Sequence, residues 1–173
     1  TVRQFEQREG VSVTRVYNGC GILTAQIRAG QRPDAYFACD VSFMSNVAPH
    51  FLPSRELADT RLVILTRPGN PKGLHSLKDL TQPGLSLGVA HEQQSALGAL
   101  TVSLLRSENL LSEVMPNVRV QSPTADLLVN QLRAGSLDAV IVYSANASAA
   151  KGILDAVELP QPGALAIQPF AVG

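Results

Sequence analysis

Residues Asn18 to Asp40, NGCGILTAQIRAGQRPDAYFACD, decide the fold prediction for this chain. The alternating apolar segment Val11–Tyr17 precedes them and predicts a strand, and the turn Gly19–Gly21 leads into a helical pattern that ends at Gly30. A second apolar segment, Ala35–Ala38, predicts another strand. The order strand, glycine turn, helix, strand is that of a parallel crossover unit. Its turn places backbone N–H groups at a helix N-terminus, where they can hold an anion without a basic side chain.

Three features of this region resemble the molybdate-binding periplasmic component of ABC transporters, within the type 2 extracellular solute-binding proteins. They are the Q-I-x-x-G sequence at Gln26–Gly30, the spacing of Asp34 and Asp40, and the aromatic–methionine pair Phe43–Met44. The resemblance implies an α/β, two-lobed type 2 periplasmic binding protein fold with open, mostly parallel sheets flanked by helices. It also implies capture of molybdate or tungstate for a membrane permease. The expected location is periplasmic or extracellular, with or without a lipid anchor.

Composition excludes several other classes of protein. The 173 residues have a formal net charge of zero and only 16% charged residues, so neither a nucleic-acid surface nor a disordered tail is expected. No apolar run approaches the roughly 18 residues of a membrane span. The sequence has no G-x-S-x-G and no Walker lysine. We therefore expect a binding protein rather than an enzyme, and no cofactor.

Strand and helix patterns alternate through the rest of the chain, which favours an open α/β sheet that binds ligands at the carboxyl ends of its strands. Ser76 is a potential N-cap of a short turn. Pro53-Ser54 indicates a helix that starts at Arg55. The other predicted helices are 41–47, 97–105 and 126–133, and the other predicted strands are 61–66, 85–90, 117–121, 138–143, 153–159 and 165–172.

The resemblance also predicts how the chain is divided. Residues 1–60 with 166–173 would form an incomplete first lobe and residues 61–165 a second lobe, joined by hinge strands near 61–66 and 165–170. Two such crossings allow closure around a ligand. The helix predicted over Thr1–Glu9 follows, in the family, a first strand that is absent here. We therefore expect a fragment, truncated at both ends, that is unstable or self-associates, because unpaired backbone groups are costly.

Three turns and one tyrosine are the candidate ligand-binding groups. Each turn opens a predicted helix, and none contains Lys or Arg, so neutral donors would recognise the shape of a dianion. The resemblance implies that the Tyr143 hydroxyl reaches the bound oxyanion. The alternative is that these are ordinary α/β turns and helix caps. The candidate residues are Gly19, Cys20, Gly21, Ala96, Leu97, Thr124, Ala125 and Tyr143.

The two cysteines leave alternatives open. Cys20 stands where the family has serine, and because a thiol is a weak donor it would act through its backbone N–H. The resemblance places a strand between Cys20 and Cys39, about 9.6 Å for two strand spacings, whereas a disulfide needs Cα atoms within about 7 Å. Buried inert thiols rank first, a disulfide second, and a soft-metal or redox role third. With His91 the thiols could bind a soft metal or another solute in the same scaffold. A ligand-sensing domain is a further alternative.

Overall fold

Helices and strands alternate along residues 2–173, the residues that the computed structural model describes. Thr1, the first residue of the helix predicted over Thr1–Glu9, lies outside them. The helices are α1 (Val2–Glu9), α2 (Cys20–Arg28), α3 (Val41–Ser45), α4 (Ala96–Ser107), α5 (Leu111–Val114), α6 (Ala125–Arg133) and α7 (Ser144–Ala149). The strands are β1 (Ala35–Phe37), β2 (Arg55–Thr66), β3 (Leu87–Ala90), β4 (Val118–Ser122), β5 (Ala139–Tyr143), β6 (Asp155–Glu158) and β7 (Leu165–Val172).

The strands lie in the order β1-β7-β2-β5-β3-β4, with β6 also paired to β2. The first half of β2, Arg55–Arg61, pairs with β7, and the second half, Leu62–Thr66, pairs with β5 and β6. Strand β3 runs parallel to β4 and β5, whereas β1–β7, β2–β5, β2–β6 and β2–β7 are antiparallel. The α/β class is confirmed, but the sheet is mixed rather than mostly parallel, because β2 and β7 cross the molecule in opposite directions.

Two hydrophobic clusters support these strands. The larger surrounds β5, whose residues are all buried, as expected of a strand covered on both faces. The smaller, here called the small cluster, contains Cys20, Ile27, Tyr36, Ala38, Phe43, Met44, Val47, Ala96 and Ala171. Helix α2 contributes to it through Cys20 and Ile27, seven residues apart on one helical face. Ala96 belongs to α4, so the small cluster joins the start of α4 to β1 and α2.

Two predicted elements are wrong. The segment Val11–Tyr17 is not a strand, and Tyr17 is 83% exposed. Alternating sequence forms a stable strand only beside a partner, and β1 is hydrogen-bonded to β7 alone among the described strands. The helix predicted to start at Arg55 is instead the first half of β2, which pairs with β7 around an irregularity between Glu56 and Ala58. Pairing with β7 therefore outweighs the local helix-start signal.

Asp138 precedes β5 and makes polar contacts to two other parts of the chain. Its carboxylate, largely buried, accepts hydrogen bonds from Arg67 Nη2 at 2.8 Å and from the Ser86 N–H at 3.0 Å. We expect Asp138→Ala to lower the free energy of unfolding by about 2 kcal/mol, because both donors lose an ionised partner. Urea unfolding measures this loss. Asp155→Ala is the control, since Asp155 accepts a bond from the exposed Gly69 N–H, and equal losses in both variants would contradict the prediction.

Candidate functional site

The N-terminus of α2 faces the loop that precedes α4. The N-cap residue Gly19 has no side chain to offer, and its N–H donates to Asn18 Oδ1 at 2.9 Å. The Gly21 N–H donates to the carbonyl oxygen of Gln94 at 3.0 Å. The Cys20 N–H has no partner within its own helix, as for any first-turn amide. The Gly21 N–H, which was predicted to be an anion donor, is therefore hydrogen-bonded to the loop before α4. The turn that opens α2 and the turn that opens α4 contact each other here.

Glycine is required at this contact because the backbones approach each other closely. A Cβ added to Gly19 would lie 2.3 Å from the carbonyl oxygen of Gln94 and 2.7 Å from that of Pro123. A Cβ added to Gly21 would lie 2.0 Å from the carbonyl oxygen of Gln93. Since real Cβ atoms do not approach backbone oxygens so closely, only glycine fits. The three turns predicted to form the site thus meet at one place.

Helices α4 and α6 start at this place with uncapped N-termini. Their N-cap residues, Ser95 and Thr124, are of types that usually cap, yet neither side chain does so. Ala96 and Leu97 are buried and Ala125 is half-buried. Their amides are first-turn donors without a carbonyl partner in their own helices. Three helix N-termini therefore converge without a capping side chain.

Tyr143 ends β5 and is 8% exposed. Its buried hydroxyl has no hydrogen-bond partner among the described residues, which is unusual for a buried polar atom. Burial raises the pKa of this hydroxyl, and negative charge at Cys39 and Cys20 adds to the effect, so Tyr143 remains a neutral donor. The structure places a free hydroxyl donor near the start of α2.

Tyr36 is a second buried hydroxyl that sequence reasoning missed. It belongs to β1, has no hydrogen-bond partner of ordinary geometry within the described chain, and lies against the Cys20 thiol. Burial and then Cys20 raise its pKa. The available signal was alternation in β1, where Tyr36 is buried while Ala35 and Phe37 are exposed.

The two cysteines are in contact, which corrects the predicted separation of about 9.6 Å. The Cys39 N–H donates to Cys20 Sγ at 3.2 Å, and both thiols are free. The strand that the family resemblance places between them is not present among the described strands, so the two residues lie side by side. The Cys39 thiol, which hydrogen-bonds to the Cys20 sulfur, lowers the pKa of Cys20 to about 7 against the opposing effect of burial. The same hydrogen bond raises the pKa of Cys39.

His91 does not complete a metal site with this pair. Its Nδ1 accepts the Gln93 N–H at 3.2 Å within the loop before α4. Within residues 2–173, no group of three or more His, Cys, Asp or Glu side chains is arranged to hold a metal ion. The three-ligand alternative of Cys20, Cys39 and His91 is therefore wrong for this arrangement of the chain.

An open groove of about 520 Å³ lies outside the contact between the turns, lined by Gly21, Ile22, Ala25, Gln26, Ala29, Gln93 and Gln94.

No helix within residues 2–173 has both the length and the apolar character needed to cross a bilayer.

Comparison with known proteins finds one curated relative and two solved structures, described here, that resemble this chain. The molybdate-binding protein ModA of Mycobacterium bovis is 28% identical over 155 residues, which is 88% of this chain and 58% of the relative. The periplasmic molybdate-binding protein of Azotobacter vinelandii superposes with a TM-score of 0.78 at 20% identity, covering 98% of this chain and 77% of that one. The sulfate-binding protein SubI of Mycobacterium tuberculosis gives a TM-score of 0.75 at 17% identity, covering 96% and 67%.

The two solved structures show a shared fold, and the chain spans somewhat more than half the length of the curated molybdate-binding relatives, at 58%. The sequence profile of the bacterial extracellular solute-binding proteins matches residues 1–173, the whole chain. This chain belongs to the bacterial extracellular solute-binding protein family.

Proposed function

We propose that the chain forms most of an extracytoplasmic solute-binding protein that captures a tetrahedral oxyanion, molybdate or tungstate, for uptake through an ABC transporter permease. The anion binds where α2, α4 and α6 start, held by amides of Cys20, Leu97 and Ala125 and by the Tyr143 hydroxyl. Gly19, Gly21, Ala96 and Thr124 shape the turns that present these donors.

The buried hydroxyl of Tyr143 carries this proposal. A buried hydroxyl without a partner is costly unless a ligand completes its hydrogen bonding. Ser95 and Thr124 leave their helix N-termini uncapped, so further donors remain available to the same ligand. Helix dipoles favour a negative charge at each of these ends. Neutral, oriented donors suit a small dianion better than a mobile lysine does.

The named relatives support the choice of anion. The curated relatives are described as molybdate-binding, and one structural neighbour as sulfate-binding. Residues 1–60 with 166–173 form the first lobe in this proposal and residues 61–165 the second. The segments 61–66 and 165–170 act as hinges, and the contact between Gly21 and Gln94 is a contact of the closed state.

Isothermal titration calorimetry of the purified chain tests the proposal. Molybdate and tungstate should bind with measurable heat, and sulfate and phosphate more weakly. Size-exclusion chromatography on the same sample measures the expected self-association, so a binding failure can be separated from misassembly. A folded, monodisperse sample that gives no heat with any of the four anions would refute the proposal.

We also expect molybdate affinity to fall as pH rises through 7 in reducing buffer. Cys20 has a pKa lowered to about 7. Above that pH its thiolate adds a negative charge beside the dianion, whereas below it the thiol is neutral and affinity is full. We expect the molybdate affinity to fall roughly tenfold between pH 6 and pH 8. This is the change that follows if bound molybdate and the Cys20 thiolate disfavour each other by one pKa unit. Cys20→Ser is the matched variant and should give a flat profile. A flat profile in the parent chain would contradict this expectation.

A further inference from the structure

The thiol pair is a reactive group near the candidate site whose sulfur chemistry oxyanion binding does not use. Cys20 begins α2 and is 2% exposed, whereas Cys39 follows β1 and is half-buried. The Cys39 N–H lies 3.2 Å from Cys20 Sγ, so the two residues are in van der Waals contact. Both thiols are free and no metal cluster of three or more ligands forms around them within residues 2–173. Their contact joins the start of α2 to the end of β1, which is the next element along the chain.

We propose that Cys20 and Cys39 are a redox modification site that forms a reversible intramolecular disulfide by exchange with a small-molecule disulfide. A contact of this kind brings the two sulfurs within reach with little backbone movement. The proposed extracytoplasmic location is one where disulfides form and persist.

The exchange proceeds in two balanced steps. The Cys39 thiol passes its proton along its hydrogen bond to the Cys20 thiolate. The Cys39 sulfur then attacks a small disulfide RSSR, forming a Cys39–S–S–R bond and releasing RS⁻, which takes the proton from Cys20. The Cys20 thiolate then attacks the Cys39 sulfur, forming the Cys20–Cys39 bond and expelling the second RS⁻. The two protons lost by the protein thiols go to the released thiolates. In total, two cysteine thiols are oxidised to one disulfide and RSSR is reduced to two RSH.

The structure favours this division of roles. Cys39 is the less buried residue of the pair, and in this proposal it meets the reagent first. Cys20 is buried behind it and has the more acidic thiol, because the Cys39 side chain hydrogen-bonds to its sulfur. A thiolate that is populated near neutral pH is the effective nucleophile for the resolving step.

The bond would fix the start of α2 to the end of β1 and close a loop over residues 21–38. It would also remove the ionisable Cys20 thiol from the anion site. This second consequence rests on the proposed function, and it predicts that the oxidised chain keeps its molybdate affinity above pH 7. Formation of the disulfide itself requires no ligand, so its failure and the failure of oxyanion binding are separate results.

Equilibration in glutathione redox buffers tests the proposal. The full chain is incubated with mixtures of reduced and oxidised glutathione, alkylated, and mapped by mass spectrometry under non-reducing conditions. We expect a single peptide pair joined through Cys20 and Cys39. The effective concentration of the two thiols should be about tenfold to a hundredfold higher in native buffer than in urea, because a bond that fits the native state is favoured by folding. A value equal to or below that in urea overturns the proposal.

The single variants Cys20→Ser and Cys39→Ser are the controls. Each should accumulate a mixed disulfide with glutathione or stay reduced, without an internal crosslink. If glutathione reaches the buried pair slowly, hydrogen peroxide serves as a smaller oxidant. It converts one thiol to a sulfenic acid, and the second thiol then converts the sulfenic acid to the disulfide with loss of water. Two fully alkylated thiols after both treatments, or crosslinks only between chains, overturn the proposal.

Discussion

Replacing Tyr143 with phenylalanine is expected to weaken molybdate binding by about tenfold to a hundredfold. The hydroxyl is buried and has no partner among the described residues, so a bound anion would receive its whole hydrogen bond. A hydrogen bond to a charged group is worth about 1.5–3 kcal/mol, which sets this range. Calorimetric titration of the parent and variant chains measures the change.

The stability of the variant separates this effect from a general loss of structure. Removing a buried hydroxyl that has no partner should leave the melting temperature unchanged or raise it. Tyr17→Phe is the matched control, since Tyr17 is 83% exposed and belongs to no helix or strand. If Tyr143→Phe binds molybdate as tightly as Tyr17→Phe, the hydroxyl has no part in the site.

Gly21→Ala is expected to have the larger effect on binding. The new Cβ would lie 2.0 Å from the carbonyl oxygen of Gln93 and 2.8 Å from Gln94 Cα, both of them backbone atoms that cannot rotate away. The start of α2 must then move off the facing loop, and the hydrogen bond from the Gly21 N–H to Gln94 is lost. If the closed state falls to about 1% of molecules, the apparent dissociation constant rises about a hundredfold.

Gly163→Ala is the matched control for this substitution. Its Cβ would meet a Leu104 methyl group at 3.3 Å, a side-chain neighbour that can adjust, and no backbone atom of the described chain is among its near neighbours. Small-angle scattering with and without molybdate reports closure directly. We expect the parent and Gly163→Ala chains to contract on binding and the Gly21→Ala chain to remain extended. Contraction of the Gly21→Ala chain to the parental dimension would be incompatible with the prediction.

Local sequence signals predicted most elements well. Helix α2 begins at the glycine turn and ends before Gly30, and β5 is the buried apolar strand expected from Ala-Val-Ile-Val-Tyr. The turn at Ser76 forms the expected N-cap, with Asp79 completing a capping box. Hydrophobic periodicity predicted these elements correctly because the apolar residues of each sequence pattern are the residues that pack against the core.

The errors share one physical cause, which is that pairing partners cannot be read from a local pattern. The segment Val11–Tyr17 alternates like a strand but has no neighbouring strand in the described fold. Arg55 carries a helix-start signal and yet enters β2, because β7 pairs with this half of the strand on both sides of the irregularity between Glu56 and Ala58. The predicted separation of Cys20 and Cys39 rests on the strand order of the family, whereas in this fold the two residues are in contact.

The candidate site was predictable only in part. Helix starts at Cys20, Ala96 and Ala125 follow from turn chemistry. The proximity of the starts of α4 and α6 follows from the parallel pairing of β3 with β4, whereas no strand precedes α2 in the described chain. Two features could not be derived from sequence. The Tyr36 hydroxyl is buried by the way β1 packs under α2, and the close backbone contact of Gly19 with Gln94 and Pro123 depends on how separate turns meet in space.

Strand β2 has a consequence for how the molecule comes apart. Its two halves are shared between different sets of neighbours, with the change of partner between Arg61 and Leu62. If β7 separates from β2, or if β5 and β6 do, half of β2 loses its hydrogen bonds between strands. The parts of the fold on the two halves of β2 are therefore expected to unfold together rather than one after the other. The hydrogen-bonded amide hydrogens in both halves of β2 should therefore exchange with solvent at one common, slow rate set by global opening.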